Sequence, residues 1–296
     1  MMGRRFPCAR PMPGSHYRLG LPIWAHPGWR DRFFEWEPSP LASYARVFDA
    51  VEGNTTFYGL KDRATVEGWR RAVEGSDLKL SFKPPMAVTH GASPDTDALE
   101  EFLDRIGALG EHLGPYLLQF PARVGPDALA RFEPVFERIA REPAGAVVEV
   151  RHLGFFDDPA TLGETLDRHG LARVTLDSRA LYAGDPSHPD AAGALHRKPD
   201  VPVLEHDGRD AAFVRLILHP DERANGPWLD EWARRAASLM GRGVDVTVIV
   251  HCPNNDRCPG FAVDFHERLR AACREGAVAV PPPLPDWPVP QQGSLL

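Results

Sequence analysis

No run of apolar residues in the chain approaches the roughly 20 that a helix needs to cross a bilayer, which excludes a helical membrane anchor. The N-terminus also lacks the apolar core of a secretory signal, so the cytoplasm is the expected compartment. Cysteine is scarce: Cys8, Cys252, Cys258 and Cys273 are too few and too scattered for the disulfide framework of a small secreted fold. Free thiols are expected. Cys252 and Cys258, with no second pair to complete a tetrahedral set, make a poor zinc motif. Positive charge is not in excess either, since 34 Lys and Arg face 41 Asp and Glu for a formal net charge of −7. That balance excludes a generally basic surface coating nucleic acid but allows a locally positive cleft. There is no internal repeat, which sets aside solenoids and propellers.

What the chain does have is ordinary globular composition and a recurring pattern. Its 296 residues, 43% hydrophobic and 25% charged, suffice for one large domain with a sizeable core. Eight short apolar runs, at 19–23, 47–54, 78–83, 116–120, 147–151, 173–177, 213–219 and 244–251, nearly all end in a polar or charged residue. Helical spacing fits 39–49, 64–73, 98–113, 126–141, 159–169, 228–240 and 261–273, with Leu99, Phe102, Leu103, Ile106 and Leu109 forming one apolar stripe. Strand then helix, repeated eight times in a chain of this length, predicts an α/β fold: a single-domain TIM-type (β/α)8 barrel over residues 17–280. Residues 1–16 read as a flexible leader and 281–296 as a proline-rich, extended tail. Residues 178–210, broken by glycines and prolines, read as a long insertion after the sixth strand, of the kind that forms lids or mobile segments.

A barrel places its chemistry at the C-terminal ends of the strands, so side-chain alternation selects the candidates. Glu52 and Asn54 share a face of the second strand, Glu149 and Arg151 of the fifth, Thr175 and Asp177 of the sixth, and Arg215, Ile217 and His219 of the seventh. Lys83, Gln119 and His251 end the third, fourth and eighth. Glu52, Lys83, Gln119, Glu149, Arg151, Asp177, Arg215 and His251 are therefore expected to converge near one axis. Charges so placed must pair, and they form either a structural salt-bridge network or a ligand site. A site is the favoured reading, because opposed charges are a costly way to hold a barrel together. Arginine forks suit a phosphate- or carboxylate-bearing small molecule or nucleic acid, bound through Asn54, Lys83, Gln119, Arg151, Arg215 and His251. Glu52, Glu149 and Asp177 are then candidate catalytic carboxylates and His90 a candidate proton carrier. Trp24, Trp29, Phe57 and Tyr58 either stack on a ligand ring or pack in the core.

The strings Gly20-Leu-Pro-Ile-Trp24-Ala-His26-Pro, Val51-Glu-Gly-Asn-Thr-Thr-Phe-Tyr58, Phe82-Lys-Pro, Thr89-His90, Leu118-Gln-Phe-Pro121, Val148-Glu-Val-Arg-His152, Leu176-Asp-Ser-Arg179, Val214-Arg215 and the final Pro-Gln-Gln-Gly-Ser-Leu-Leu carry a resemblance. Together they resemble the YecE-like branch of the domain-of-unknown-function 72 (DUF72) family, from about residue 17 to the end. The resemblance implies a TIM barrel distantly similar to endonuclease IV, and no established reaction. Residues 1–16 and the cysteine pair depart from the family's pattern and take no role from it.

Three functions follow as expectations. The first is a metal-independent barrel protein that binds or acts on a phosphorylated sugar or nucleic-acid ligand. The second is a metal-dependent, endonuclease IV-like phosphodiesterase, for which His26, Glu52, His90, Glu149, Asp177, His219 and His251 supply zinc-ligand types. Lys83, Arg151 and Arg215 would oppose clustered cations there, so no cofactor is the leading expectation, with zinc or another divalent metal as the alternative. The third is a non-catalytic replication or repair accessory protein. Gln292, Leu295 and Leu296 resemble the short peptide that binds the bacterial sliding clamp, presented on a stiff proline-rich spacer.

Overall fold

The computed structural model describes residues 17–30, 32–34 and 38–285. All eight expected strands are present: β1 Tyr17–Leu21, β2 Ala50–Gly53, β3 Lys79–Phe82, β4 Tyr116–Gln119, β5 Ala146–Glu149, β6 Ala172–Asp177, β7 Ala211–Ile217 and β8 Asp245–His251. Every pairing is parallel, in the order β3-β2-β1-β8-β7-β6-β5-β4. The sheet curls into a nearly closed ring. At the seam between its two edges, Gly114 N, just ahead of β4, donates to Leu80 O of β3 at 2.9 Å. The expected (β/α)8 barrel is the fold.

Helices cover the outside, and their boundaries follow local chemistry. Asp62, Asp95 and Asp158 cap their helices by accepting from a backbone N–H of the first turn. The stripe Leu99, Phe102, Leu103, Ile106 and Leu109 is buried against the strands. Two expected helices are broken. The span 98–113 is α-helical only over Thr96–Ile106 and then tightens to a 3-10 turn, with Gly110 at φ 59°. The span 126–141 is a 3-10 helix, Pro126–Phe132, followed by a new helix at Glu133–Ile139, because Pro134 has no N–H to continue the ladder.

Inside the ring the side chains form layers. Ala50, Leu117, Val147, Ala172, Val174, Phe213 and Ile249 pack into one apolar plug. Gly20 completes the ring by necessity, since a Cβ there would stand 2.0 Å from the Ala50 carbonyl oxygen. Two residues further along five of these strands come Glu52, Gln119, Glu149, Arg215 and His251, all buried. Period-two alternation therefore lays a charged layer directly on an apolar floor.

The insertion after β6 differs from the expected irregular loop. It folds into helices Arg179–Ala183 and Pro189–Leu195, and Leu181, Ala191, Ala194 and Val201 pack on Leu176 and Ile217 at the barrel mouth. Helices of five and seven residues are too short to show a 3.6-residue periodicity and depend on tertiary contact. The leader 1–16, Cys8, and Gln292, Leu295 and Leu296 of the tail lie outside the described residues. The start of the tail runs back along the last helix, Cys258–Glu275, where Pro282 O lies 2.9 Å from His266 Nε2 and Pro281 O accepts from Arg270 Nε. No helix among the described residues is long and apolar enough to cross a membrane.

Phe213 is the one aromatic ring in the plug. Phe213→Ala is expected to lower unfolding stability by about 3–5 kcal/mol through lost burial and a cavity that the ring of strands cannot close. Urea denaturation monitored by tryptophan fluorescence checks this, and a loss below about 1 kcal/mol would show that the plug is not tightly packed.

Candidate functional site

The charged layer is a single network built around Arg215. Its guanidinium holds Glu52 bidentately, Nε to Oε2 at 2.7 Å and Nη2 to Oε1 at 3.0 Å. Its remaining Nη1 donates to Glu149 Oε2. Lys83, just past β3, brings Nζ to 2.9 Å from Glu52 Oε1 and donates to Gln119 Oε1 at 2.8 Å, bridging the seam between the sheet edges. Arg151 reaches back from beyond β5, with Nε and Nη2 each 2.7 Å from Glu149 Oε1. His251 Nε2 lies 3.3 Å from Glu52 Oε2 but lacks the alignment of a hydrogen bond, leaving a buried polar atom unpartnered.

Burial and charge pull these groups in opposite directions. Burial alone would raise the Glu52 carboxyl, yet Arg215 and Lys83 outweigh it and hold Glu52 well below the usual carboxylate range. Glu149 is likewise held at about 2, with Arg215 and Arg151 overcoming burial. Both are ionised at neutral pH. His251 is pushed down to about 3 by burial and Arg215, so it is neutral. His90, on the helix Met86–His90 after β3, falls to about 4 through burial and the charges of Arg123, Arg151 and Lys83.

The structure brings together Glu52, Lys83, Gln119, Glu149, Arg151, Arg215 and His251, and leaves His90 within electrostatic reach of Arg123, Arg151 and Lys83. Asp177 is a correction to the expected cavity. Pairing of β6 with β7 sets Leu176, not Asp177, opposite Arg215, so Asp177 faces the helix layer. There it accepts from Trp232 Nε1 at 2.6 Å and is held bidentately by Arg179. Its parity along the strand was read one residue out of phase, because the polar end of β6 looks the same on either face. Asn54 spends its amide on Pro22 O at 3.2 Å and ties β2 to the end of β1. His219 is fully buried, faces the carbonyl of Asp185 at 3.1 Å and accepts from Asp221 N, a post for the insertion. Gly184 passes so near that a Cβ would meet the His219 ring at 2.4 Å.

The aromatic candidates divide as well. Trp29 is buried and donates to the carbonyls of Asn255 and Asp256, while Trp24 packs edge-on to Trp69 and Phe82. Phe57 meets the His90 ring edge-on at 5.0 Å, and Tyr58 is 85% exposed at the end of the short helix Thr55–Tyr58. One residue escaped the sequence reading altogether. Lys198, from the insertion, is half-buried; burial, aided by the charges of Arg215, Lys83 and Arg151 and opposed by Glu52, brings its ammonium down to about 8. Only the docking of the insertion places it there, so no local pattern could have marked it.

The family model described as "Protein of unknown function DUF72" matches residues 18–286. The chain belongs to the DUF72 family. It is 32% identical over 283 residues to the UPF0759 protein YecE of Escherichia coli K12, covering 94% of this chain and 98% of that one. Among solved structures, a DUF72 family protein of Enterococcus faecalis V583 superposes with a TM-score of 0.62 at 17% identity, over 91% of this chain and all of that one. A DUF72 family protein of Thermotoga maritima MSB8 gives 0.60 at 20% identity, over 86% and 98%. At such identities the two structures speak for the fold alone.

In this DUF72 chain, no three His, Cys, Asp or Glu side chains among the described residues are grouped to hold a metal ion. Of the seven residues expected as zinc ligands, Glu52, Glu149 and His251 share the charged network and the other four lie apart from it. Asp177 and His219 are turned to other partners, and the Arg215 guanidinium stands between Glu52 and Glu149. Cys252, Cys258 and Cys273 are free, and Cys252 N donates to Cys258 Sγ at 3.0 Å.

Arg215→Ala strands two buried carboxylates and is expected to cost about 3–5 kcal/mol of stability. Replacing the buried charges together, as Arg215→Met with Glu52→Gln, Glu149→Gln and Lys83→Met, should recover most of the loss in urea melts, because no buried ion is then left without its partner. A stable Arg215→Ala protein would show that water already reaches both carboxylates. Acid sensitivity has a defined sign. Below about 6.5 an unfolded chain protonates the residue at 251, whereas the folded His251 stays neutral down to about 3. Stability is therefore full above the unfolded value and falls as pH drops through this window, joined below 4.5 by the contribution of Glu149, which is fully lost only as pH passes about 2. Thermal melts from pH 7 to 4 should show the decline, and His251→Gln should make it shallower, leaving the share of His90, which is depressed in the same window. An unchanged slope in that variant would assign the acid limb to other groups.

Proposed function

We propose that the barrel mouth binds a ligand through a phosphate or carboxylate group, with a phosphorylated sugar or nucleic-acid end as the substrate class. One observation carries this reading: the mouth has more cation than its carboxylates can use. Among the described residues, Arg215, Lys83, Arg151 and Lys198 meet only Glu52 and Glu149, an excess of two positive charges in a chain whose net charge is −7. The neutral imidazoles of His90 and His251 add none. A purely structural network would be expected to balance, because each unpaired buried charge costs several kcal/mol. An anion supplies the missing partner, and the cationic mouth of an acidic protein focuses the field that draws it in.

On this reading Glu52 and Glu149 orient cations rather than act as acid and base, since both are committed to Arg215, Lys83 and Arg151. Arg151 keeps a partly open face, with its side chain 20% exposed, and offers the guanidinium fork. His90 lies within electrostatic reach of that fork and of Arg123. An anion bound there offsets the charges of Arg151, Arg123 and Lys83, so the imidazole takes up a proton on binding. The metal-dependent alternative gains no support from this arrangement, as Arg215 occupies the position between the carboxylates.

Inorganic phosphate, sugar phosphates, nucleotides and abasic DNA should be screened by thermal shift. At least one phosphorylated compound is expected to raise the melting temperature by several degrees, since a ligand at 100 times its Kd stabilises by about 2.7 kcal/mol. Arg151→Ala should abolish the shift. Calorimetry at pH 6 in buffers of differing ionisation heat should show proton uptake that His90→Gln removes. No stabilisation by any of these compounds would overturn the proposal.

A further inference from the structure

The chain uses arginine thirty times and lysine four times, at Lys61, Lys79, Lys83 and Lys198. Lys79 donates to Glu111 O, and Lys83 is engaged by Glu52 and Gln119. Lys198 is half-buried yet makes no side-chain hydrogen bond or ion pair with any described residue. Its backbone is nonetheless fixed: Lys198 N donates to Ala194 O at 2.8 Å, and its carbonyl accepts from Tyr182 Oη at 2.7 Å. The next carbonyl, of Pro199, accepts from Ser178 Oγ at 2.7 Å. Below this turn lies the apolar cluster that seats the insertion on Leu176 and Ile217.

The charges that reach Lys198 come from several strands around the mouth, over which the docked insertion carries it. Arg215 on β7, Lys83 after β3 and Arg151 after β5 are cations, Glu52 on β2 is an anion already held by Arg215 and Lys83, and His251 and Cys258 also feel the lysine's charge. An arginine would bind an anion there just as permanently, and this chain chooses arginine almost everywhere else. Lysine differs in being able to shed its proton and present a lone pair. We propose that Lys198 is an amine nucleophile that forms an imine with an aldehyde or ketone group of the ligand whose anionic end is held at the Arg151 side of the mouth.

This inference rests on the anion-binding reading and narrows the substrate class to a phosphorylated carbonyl compound. Desolvation and neighbouring cations are the two means by which proteins free a lysine amine, and both act here. With the ammonium near 8 instead of 10.5, the free amine is roughly 300-fold more abundant at pH 7 than on an ordinary lysine. The nitrogen lone pair attacks the carbonyl carbon, and the π pair of the C=O moves to oxygen, which takes up a proton. Nitrogen gives up its two protons, the first to balance the one on that oxygen and the second to the resulting hydroxyl, which leaves as water while the nitrogen lone pair forms C=N. One water is released, nothing is oxidised or reduced, and no co-reactant is required.

The test is reductive trapping on the full chain with glyceraldehyde 3-phosphate and sodium cyanoborohydride, read by intact mass and peptide mapping. Lys198 is expected to be labelled at least tenfold faster than Lys61 or Lys79, with a rate half-maximal near pH 8 and suppressed by inorganic phosphate. Lys198→Arg should lose the label, whereas Lys61→Arg should keep both the label at Lys198 and the thermal shift with phosphate. Labelling spread evenly over the four lysines would overturn the inference, even if phosphate still stabilised the protein. Selective labelling of Lys198 by unphosphorylated glyceraldehyde, with no protection or stabilisation by phosphate, would support the amine and overturn the anion site instead.

Discussion

Arg215 has to satisfy two carboxylates above a floor of apolar side chains, and the rest of the mouth is arranged by that requirement. Its five N–H donors form a rigid planar fork, so binding Glu52 through two of them and Glu149 through a third fixes both carboxylates relative to β7. Once these are fixed, the second edge of each carboxylate becomes a seat for a further cation: Lys83 on Glu52 and Arg151 on Glu149. A replacement that lacked the Nε or Nη1 donor would leave Glu52 Oε2 or Glu149 Oε2 buried and unpaired, which costs more than the contact itself contributes. The network thus ties β2, β3, β5 and β7 together across the barrel axis, where no backbone hydrogen bond can reach.

That arrangement joins stability to binding. A closed, balanced ion cluster would be a structural device with no reason to meet solvent. Here the inner members are balanced and buried, whereas the outer ones, Arg151 and Lys198, are only partly covered and not fully neutralised. The apolar plug below prevents water from reaching the carboxylates through the barrel, so the low dielectric that makes the network strong also strengthens its attraction for an anion at the mouth. The insertion after β6 closes the same space from above, anchored by Asp177 with Arg179, by His219 with Asp185, and by its own small apolar cluster.

The barrel was legible because its signal is spread over the whole chain. Eight apolar runs each end where a strand ends, and alternation along β2, β5 and β7 marks Glu52, Glu149 and Arg215 as partners on one inner face. On those strands the charged residue follows an apolar inner neighbour two positions earlier, which leaves little doubt about parity. Strand β6 offers no such contrast. Leu176 and Asp177 are both buried, one under the insertion and the other beneath the helix Gly226–Gly241, and only the register with β7 says which faces the axis.

The amino-acid sequence by itself determined the fold class, the family and most of the charged layer, because periodicity and strand-end chemistry are local properties that survive without coordinates. Tertiary structure alone decided three things: that Asp177 serves the insertion and not the cavity, that the 178–210 segment is folded onto the mouth, and that Lys198 joins Arg215, Lys83 and Arg151. Each depends on contact between segments far apart in the chain. A lysine in a polar, proline-punctuated stretch looks like any solvated cation until the packing of Leu181, Ala191, Ala194 and Val201 on the barrel removes its water and sets three other cations around it.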